Sequence, residues 1–346
     1  MDRTMPAVVF ERPGALRLVR RPVPALQADD DVLVRIVATG ICGTDRGIAL
    51  GQFPASAGVI LGHEAVGVVE AAGDDVADLA AGDRVVVNPT FHCGRCQPCR
   101  RGLAAHCLAK AGREIGVDCD GTMAACAVVG QRFVRRLPAA IIDHRAVLIE
   151  PLACVLNNLA AAALRPDDRV LIAGAGPIGA LCALVLHARG ARVRLVDRDP
   201  RRVELARATL GPAVEVALGA MSGGGDARVD VVIDTTGVLL EDALAVVADG
   251  GRVVVMGERE GARATVALRA VVTRGISIVG AGPYAPDDFE LAIELARDLP
   301  LESLVTHAVA LERHEEAFEL LGVGRDGTQF AGYRAMKVVL ACEPAA

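Results

Sequence analysis

RVLIAGAGPIGALCALVLHARGARVRLVD, residues 169–197, sets the reading of the whole chain, because it runs as strand, glycine turn, apolar helix and second strand. Val170 to Ala173 and Val193 to Val196 are short apolar runs, and Gly174, Gly176 and Gly179 stand between them at G-x-G-x-x-G spacing. That is the order of a dinucleotide-binding βαβ unit. Gly174 allows the sharp turn off the strand, Gly176 lets backbone approach a pyrophosphate, and Gly179 allows close packing of helix on sheet. Gly176, Pro177 and Ile178 open the helix, whose free N–H groups face the phosphates. Asp197 stands where a carboxylate takes hydrogen bonds from an adenosine ribose and repels a 2′-phosphate, which favours NAD over NADP. Arg198, Arg201 and Arg202 follow it and would draw phosphate charge toward the same place. Residues 170–188 lack any formally charged side chain and approach the length of a membrane span, but three glycines and a proline interrupt them.

Outward from that unit, 346 residues suffice for two domains with separate cores. A hydrophobic fraction of 52% excludes disorder on a large scale, and a net charge of -6 with interspersed signs argues against nucleic acid or an anionic membrane as partner. The opening MDRTMPAVVFERPG has no long apolar core of a secretory signal, so a cytoplasmic protein is expected. Before about residue 150 the runs AVVF, LRLV, DVLVRIVATG, GHEAVGVVE and GDRVVV, separated by Gly, Pro and Asp, predict a β-rich domain partly closed on itself. From Val155 to Gly280 strands (VDVVID, GGRVVVMG, ISIVGA) alternate with helical patterns at Pro200 to Leu210 and Leu239 to Ala248, which predicts an open parallel sheet. Ser222 to Gly225 reads as a loop, Asp287 to Arg297 as a helix, and YRAMKVVLAC as a last strand returning to the first domain.

Ten cysteines without an export signal read as metal ligands and small buried residues rather than disulfides. Four of them, Cys93, Cys96, Cys99 and Cys107, form C-x2-C-x2-C-x7-C in a Gly- and Pro-containing loop. Four thiolates close tetrahedrally on one zinc and leave it no open position, so this is a structural site; His92 and His106 beside it read as ordinary loop residues. Three other segments suit a reactive zinc: Cys42 in GICGTD, His63 and Glu64 in LGHEAVG, and Glu150 in IEPLACV. Thiolate, imidazole and carboxylate together leave a position free for substrate oxygen.

With these segments in this order, the chain resembles the zinc-containing medium-chain alcohol/polyol dehydrogenases. The likeness rests on GICGTD, GHEAVG, the cysteine quartet, EPL and GAGPIG, which span nearly the whole length. It implies an α/β protein with a β-rich GroES-like catalytic domain (1–154 and 285–346) and a Rossmann doubly wound parallel sheet domain (155–284). It implies two zinc ions per chain, a nicotinamide cofactor, a small alcohol or ketone substrate, and a homodimer or homotetramer. By the same likeness Cys42 and His63 ligate the catalytic zinc, Glu64 does so in the polyol and glucose dehydrogenase branches, and Glu150 fills the family's exchangeable ligand position. Thr44 matches the hydroxyl that takes the substrate proton, and Cys154, four residues past Glu150, is expected to be a small buried residue, with an alternative ligand as the other reading. The sequence departs from the pattern at Gly47, where many members carry the histidine that ends the proton relay; Glu64, a ribose hydroxyl or water stand as alternative exits. CGTDR is similar to the start of archaeal glucose dehydrogenases, so a polyol, sugar or cyclitol is the expected substrate. The competing readings are an L-threonine-type amino alcohol dehydrogenase and a non-enzymatic dinucleotide-sensing or structural protein that keeps the fold.

Overall fold

A computed structural model describes residues 3–221, 228–330 and 333–342; the expected loop at Ser222 to Gly225 lies outside them. The chain divides into two compact units, Met1–Pro151 with Ala285–Ala346, and Leu152–Tyr284. In chain order the first unit contributes β1 (Thr4–Arg12), β2 (Ala15–Pro22), β3 (Asp31–Gly40), β4 (Glu64–Ala72), β5 (Arg84–Val87), β6 (Cys126–Gly130) and β7 (Val134–Arg136). The second contributes β8 (Arg169–Ala173), β9 (Arg192–Asp197), β10 (Glu215–Leu218), β11 (Val229–Asp234), β12 (Val247–Val255) and β13 (Ser277–Val279), after which the chain re-enters the first with β14 (Val305–Ala310) and β15 (Lys337–Ala341).

In the first unit β1 and β2 form a hairpin, and the larger sheet runs β14-β15-β3-β4-β5-β7, with β6 also on β3. β3 is the organiser. It pairs with β4 along one edge, while its other edge takes β6 at residues 31–35 and β15 at residues 38–40. Held on both sides, Val32, Leu33, Val34 and Ile36 are buried, and they join Phe10, Met123, Phe318 and Leu340 in one core. The last strand does return to the first unit. Arg145, in the short helix Asp143–Ala146, fixes part of the returning segment through a bidentate pair with Glu302 (Nη2 to Oε1 and Nε to Oε2, each 2.7 Å). The guanidinium holds the Glu302 carboxyl below its ordinary value of 4.5. A depressed carboxylate adds stability above its unfolded pKa and loses it as pH falls through the folded one. Arg145→Gln is therefore expected to lower the urea midpoint at neutral pH, and to lower it less in acid, where Glu302 is protonated in both states and only the bonds from Arg145 to the carbonyls of Ala296 and Arg297 are lost; an equal gap at both pH values would contradict this.

The second unit is a six-stranded parallel sheet in the order β10-β9-β8-β11-β12-β13. The order reverses beside the first strand of the unit, which is the doubly wound arrangement. The helix Pro177–Ala188 is buried from Gly179 to Leu186. An all-round apolar helix belongs inside a protein as readily as inside a membrane, and no described helix is long and apolar enough to cross one. Burying Leu181 or Leu186, each fully inaccessible, contributes about 2 kcal/mol. The helix expected at 239–248 is shorter, Leu240–Val246, because Val247 already pairs with Val229 as strand. Helix Pro286–Leu295 lies within one residue of its expected start and ends two residues early.

Candidate metal centre and dinucleotide turn

Pairing register explains how remote segments of the first unit converge. Gly40, the last residue of β3, is opposite Glu64, the first of β4. Cys42 therefore follows one strand end by two residues while His63 precedes the other strand by one. Cys42 caps the helix Gly43–Ala49, and its N–H donates to Asp45 Oδ2 at 2.8 Å; Gly62 N–H donates to Oδ1 at 3.2 Å. Asp45, fully buried, thus staples the helix to the loop carrying His63, whose Nδ1 lies 3.8 Å from Oδ1. Donor atoms of Cys42, His63 and Glu64 lie within 4.8 Å of one another. Glu150, in the first turn of the helix Ile149–Ala161, is buried and acts on His63 through its charge without joining that triad of donors.

The charges here ask for a cation. Burial disfavours a charged His63 ring, yet Asp45, Cys42 and Glu150 together hold its pKa well above 6.5. Burial likewise raises Asp45 against the pull of His63. His63 Nδ1 and Glu64 Oε1 are buried with no hydrogen-bond partner among the described residues, an arrangement that costs free energy unless something else binds them. Thiolate, imidazole and carboxylate form a donor set that zinc accepts. Thr44 Oγ1 lies 3.8 Å from Cys42 Sγ. Gly47 is buried, and a Cβ there would lie 3.2 Å from Phe53 Cβ.

Two residues of this centre escape sequence reading. Asp45 could have been found, since an acid three residues past a helix cap is a capping signal. Lys337 is the other: fully buried on β15, it forms an ion pair with Glu64 Oε2. Burial works against its charge, and Glu64 and Cys42 restore it, leaving the pKa raised. A charged residue inside the apolar run AMKVVL is the signal, because a buried charge requires a partner. Gly40 makes the pairing possible, since a Cβ there would lie 2.1 Å from Glu64 Oε2 and 2.9 Å from Lys337 Cε.

The quartet is assembled by local turns. Cys96 caps the short helix Gln97–Arg100, which carries Cys99, and Cys107 follows the turn Ala104–His106. The sulfurs of Cys96 and Cys99 are 3.4 Å apart, of Cys96 and Cys107 3.9 Å, of Cys93 and Cys99 4.0 Å. These are far beyond a disulfide bond and close to the edge of about 3.8 Å expected for a tetrahedron with Zn–S of about 2.3 Å. Backbone N–H groups of Cys93, Cys96 and Ala109 donate to sulfur at 3.2 to 3.4 Å. Backbone N–H groups of Arg95 and Cys96 pull the Cys93 thiol down to about 6, whereas burial and Cys96 push Cys99 up to about 11. Four crowded sulfurs cannot all ionise alone, and a dication relieves that. His92 sits edge-on to Phe133, and His106 lies in the turn before Cys107. Cys154 is half-buried rather than buried, since it lies on a partly covered face of its helix.

In the second unit Gly174 adopts φ +104°, and a Cβ at Gly179 would lie 1.9 Å from Gly174 O, so the helix starts against the turn. Gly176 caps that helix and Pro177 and Ile178 form its first turn. Asp197 closes β9, with Oδ2 accepting from Ala175 N–H (2.8 Å) and Oδ1 from Asp199 N–H (2.9 Å). Arg202 Nη1 lies 3.2 Å from where a Gly176 Cβ would be, and Arg198 is exposed.

Two families match: the Alcohol dehydrogenase GroES-like domain over residues 28–139 and the Zinc-binding dehydrogenase over residues 177–298. The D-xylulose reductase A of Aspergillus niger is 32% identical over 339 residues, covering 92% of this chain and 93% of that protein. A short chain alcohol dehydrogenase (rspB) from E. coli CFT073, solved with NADH, superposes with a TM-score of 0.87 at 27% identity, covering 98% of this chain and 99% of that one. Galactitol-1-phosphate dehydrogenase from Escherichia coli gives a TM-score of 0.84 at 25% identity over 97% and 100% of the two chains.

Proposed function

The chain belongs to the zinc-containing medium-chain alcohol/polyol dehydrogenases, and from that premise we propose that it moves a hydride between NAD(H) and a secondary alcohol or ketone of a polyol, sugar or cyclitol. The observation that carries the proposal is the convergence of Cys42, His63 and Glu64, with Glu150 close enough to act on His63. Carboxylates rather than a second cysteine in that set, and relatives named for xylulose and galactitol phosphate, support a polyhydroxylated substrate.

We assign Cys42, His63, Glu64 and Glu150 to a catalytic zinc, and Cys93, Cys96, Cys99 and Cys107 to a structural one. When bound, the catalytic zinc supplies Lewis acidity at a carbinol oxygen, and the nicotinamide supplies the hydride acceptor. Thr44, beside Cys42, takes the substrate hydroxyl's proton through Oγ1. The ion pair with Lys337 occupies one oxygen of Glu64 and weighs against Glu64 as the next proton acceptor, which favours a ribose hydroxyl or water. Asp45 holds His63 in place by charge. Gly174, Gly176, Pro177, Ile178 and Gly179 would cradle the pyrophosphate with Arg202 adding positive charge. Asp197, fixed by two backbone donors, supports NAD over NADP, with Arg198 exposed beside it.

A homodimer or homotetramer fits β13, which among the described residues is paired along one edge only and carries the exposed Ile278, with exposed Leu268 and Val272 before it in sequence. We place the protein in the cytoplasm. Polyols, aldoses, cyclitols and threonine, each offered with NAD and NADP and followed by nicotinamide absorbance, test the substrate class. Turnover of a polyol, sugar or cyclitol with NAD, in protein carrying two zinc ions per chain, is expected. Turnover of threonine alone, or one zinc and no turnover, would displace the reading.

A further inference from the structure

At the carboxyl edge of the six-stranded sheet three loops touch backbone to backbone. A Cβ on Gly257, just past β12, would lie 2.2 Å from Gly237 N and 2.4 Å from Thr236 C; one on Gly174 would lie 2.4 Å from Thr235 Oγ1. Residues 235–239 are therefore wedged between the glycine turn after β8 and the turn after β12. One fully buried side chain holds them there. Asp234, the last residue of β11, accepts at Oδ1 from Thr236 N–H (2.8 Å), Thr236 Oγ1–H (2.6 Å) and Gly237 N–H (3.1 Å), and at Oδ2 from Leu239 N–H (2.9 Å). Its own carbonyl accepts from Met256 and Gly257 N–H at 2.9 Å each. Thr235, placed by this clamp, donates from N and Oγ1 to Ala173 O at 3.0 and 2.8 Å, directly before Gly174.

Ligands of open parallel sheets bind outside the carboxyl ends of the strands, at the point where strand order reverses. Here that point lies between β8 and β11, where Asp234 pairs with Ala173. We infer that Asp234 is a positioning residue for the dinucleotide: it touches no ligand itself, and it fixes the three loops as one surface whose shape the cofactor reads. A carboxylate is required because all four groups it faces are donors. An amide at this position would turn an N–H toward one of them, and the loop would have to move to escape.

The inference rests on the proposed binding of a nicotinamide dinucleotide, so fluorescence titration of the wild-type zinc-loaded protein with NADH comes first. Asp234→Asn is then expected to raise the Kd for NADH about tenfold or more, since one buried donor left unpaired is worth about that factor, while zinc per chain is unchanged. Thr236→Val, which keeps shape and removes one donor, is expected to give a smaller rise, about threefold. Arg252→Met is the control: it breaks a buried pair with Asp168 (2.5 Å) at the amino edge of the same sheet. It should lower the thermal midpoint and leave the NADH Kd as it was. If Asp234→Asn and Thr236→Val bind NADH like wild type, or if Arg252→Met weakens binding equally for the same lost stability, Asp234 serves folding alone and the inference is overturned. A wild-type protein that binds neither NADH nor NADPH overturns the functional reading itself, and this inference with it.

Discussion

Cys42→Ser is expected to lower turnover by about a thousandfold or more, because the Lewis-acid contribution it removes amounts to several kcal/mol of barrier. A serine hydroxyl stays protonated at neutral pH and cannot replace a thiolate in a set that otherwise contains one imidazole and carboxylates. Zinc should fall from two ions per chain to one, the remaining ion being held by the quartet. NADH binding should be nearly unchanged, since the glycine turn belongs to the other compact unit. Elemental analysis, NADH titration and initial rates on the same preparation separate these effects. Wild-type turnover in a variant with one zinc would remove Cys42 from the chemistry.

Lys337→Met is expected to destabilise the first unit by about 3 to 5 kcal/mol, the usual cost of stripping the partner from a buried ion. Glu64 is then left as a carboxylate with about 1% exposure, and Oε1 has no hydrogen-bond donor to compensate. The double variant Lys337→Met with Glu64→Gln should recover much of the loss, because neither charge remains. Denaturant midpoints of the four proteins give the coupling directly. Additive single effects would show that the pair is not coupled. If Glu64 also binds zinc, the loss in Lys337→Met should be smaller in zinc-loaded protein than after removal of the ion.

What could be read before any coordinates were at hand was what lies close together in sequence. The G-x-G-x-x-G turn and its flanking strands are dictated within 29 residues, and the quartet within 15, because turn chemistry alone brings such groups together. The segments GICGTD and GHEAVG were visible, but their meeting depends on the register between β3 and β4, which no periodicity specifies. The partner of Lys337 was illegible for the same reason: it reaches Glu64 only because β15 pairs with β3 after most of the chain has intervened. The short helix Leu240–Val246 shows the opposite failure, where local pattern continued and a strand partner, Val229, stopped it. Gly47 was noticed as a departure, and a Cβ there would come within 3.2 Å of Phe53 Cβ.

The position of β15 has a consequence for how the polypeptide matures on the ribosome. The parallel sheet is encoded by one uninterrupted stretch, Leu152–Tyr284, and can acquire its shape as soon as that stretch emerges. The sheet around β3 must wait, with residues 38–40 of its organising strand unpaired on one edge, until Lys337–Ala341 has been translated. A nascent chain stalled before that point would carry a finished nucleotide fold and an unfinished metal pocket, whose Glu64 has not yet met its counter-ion.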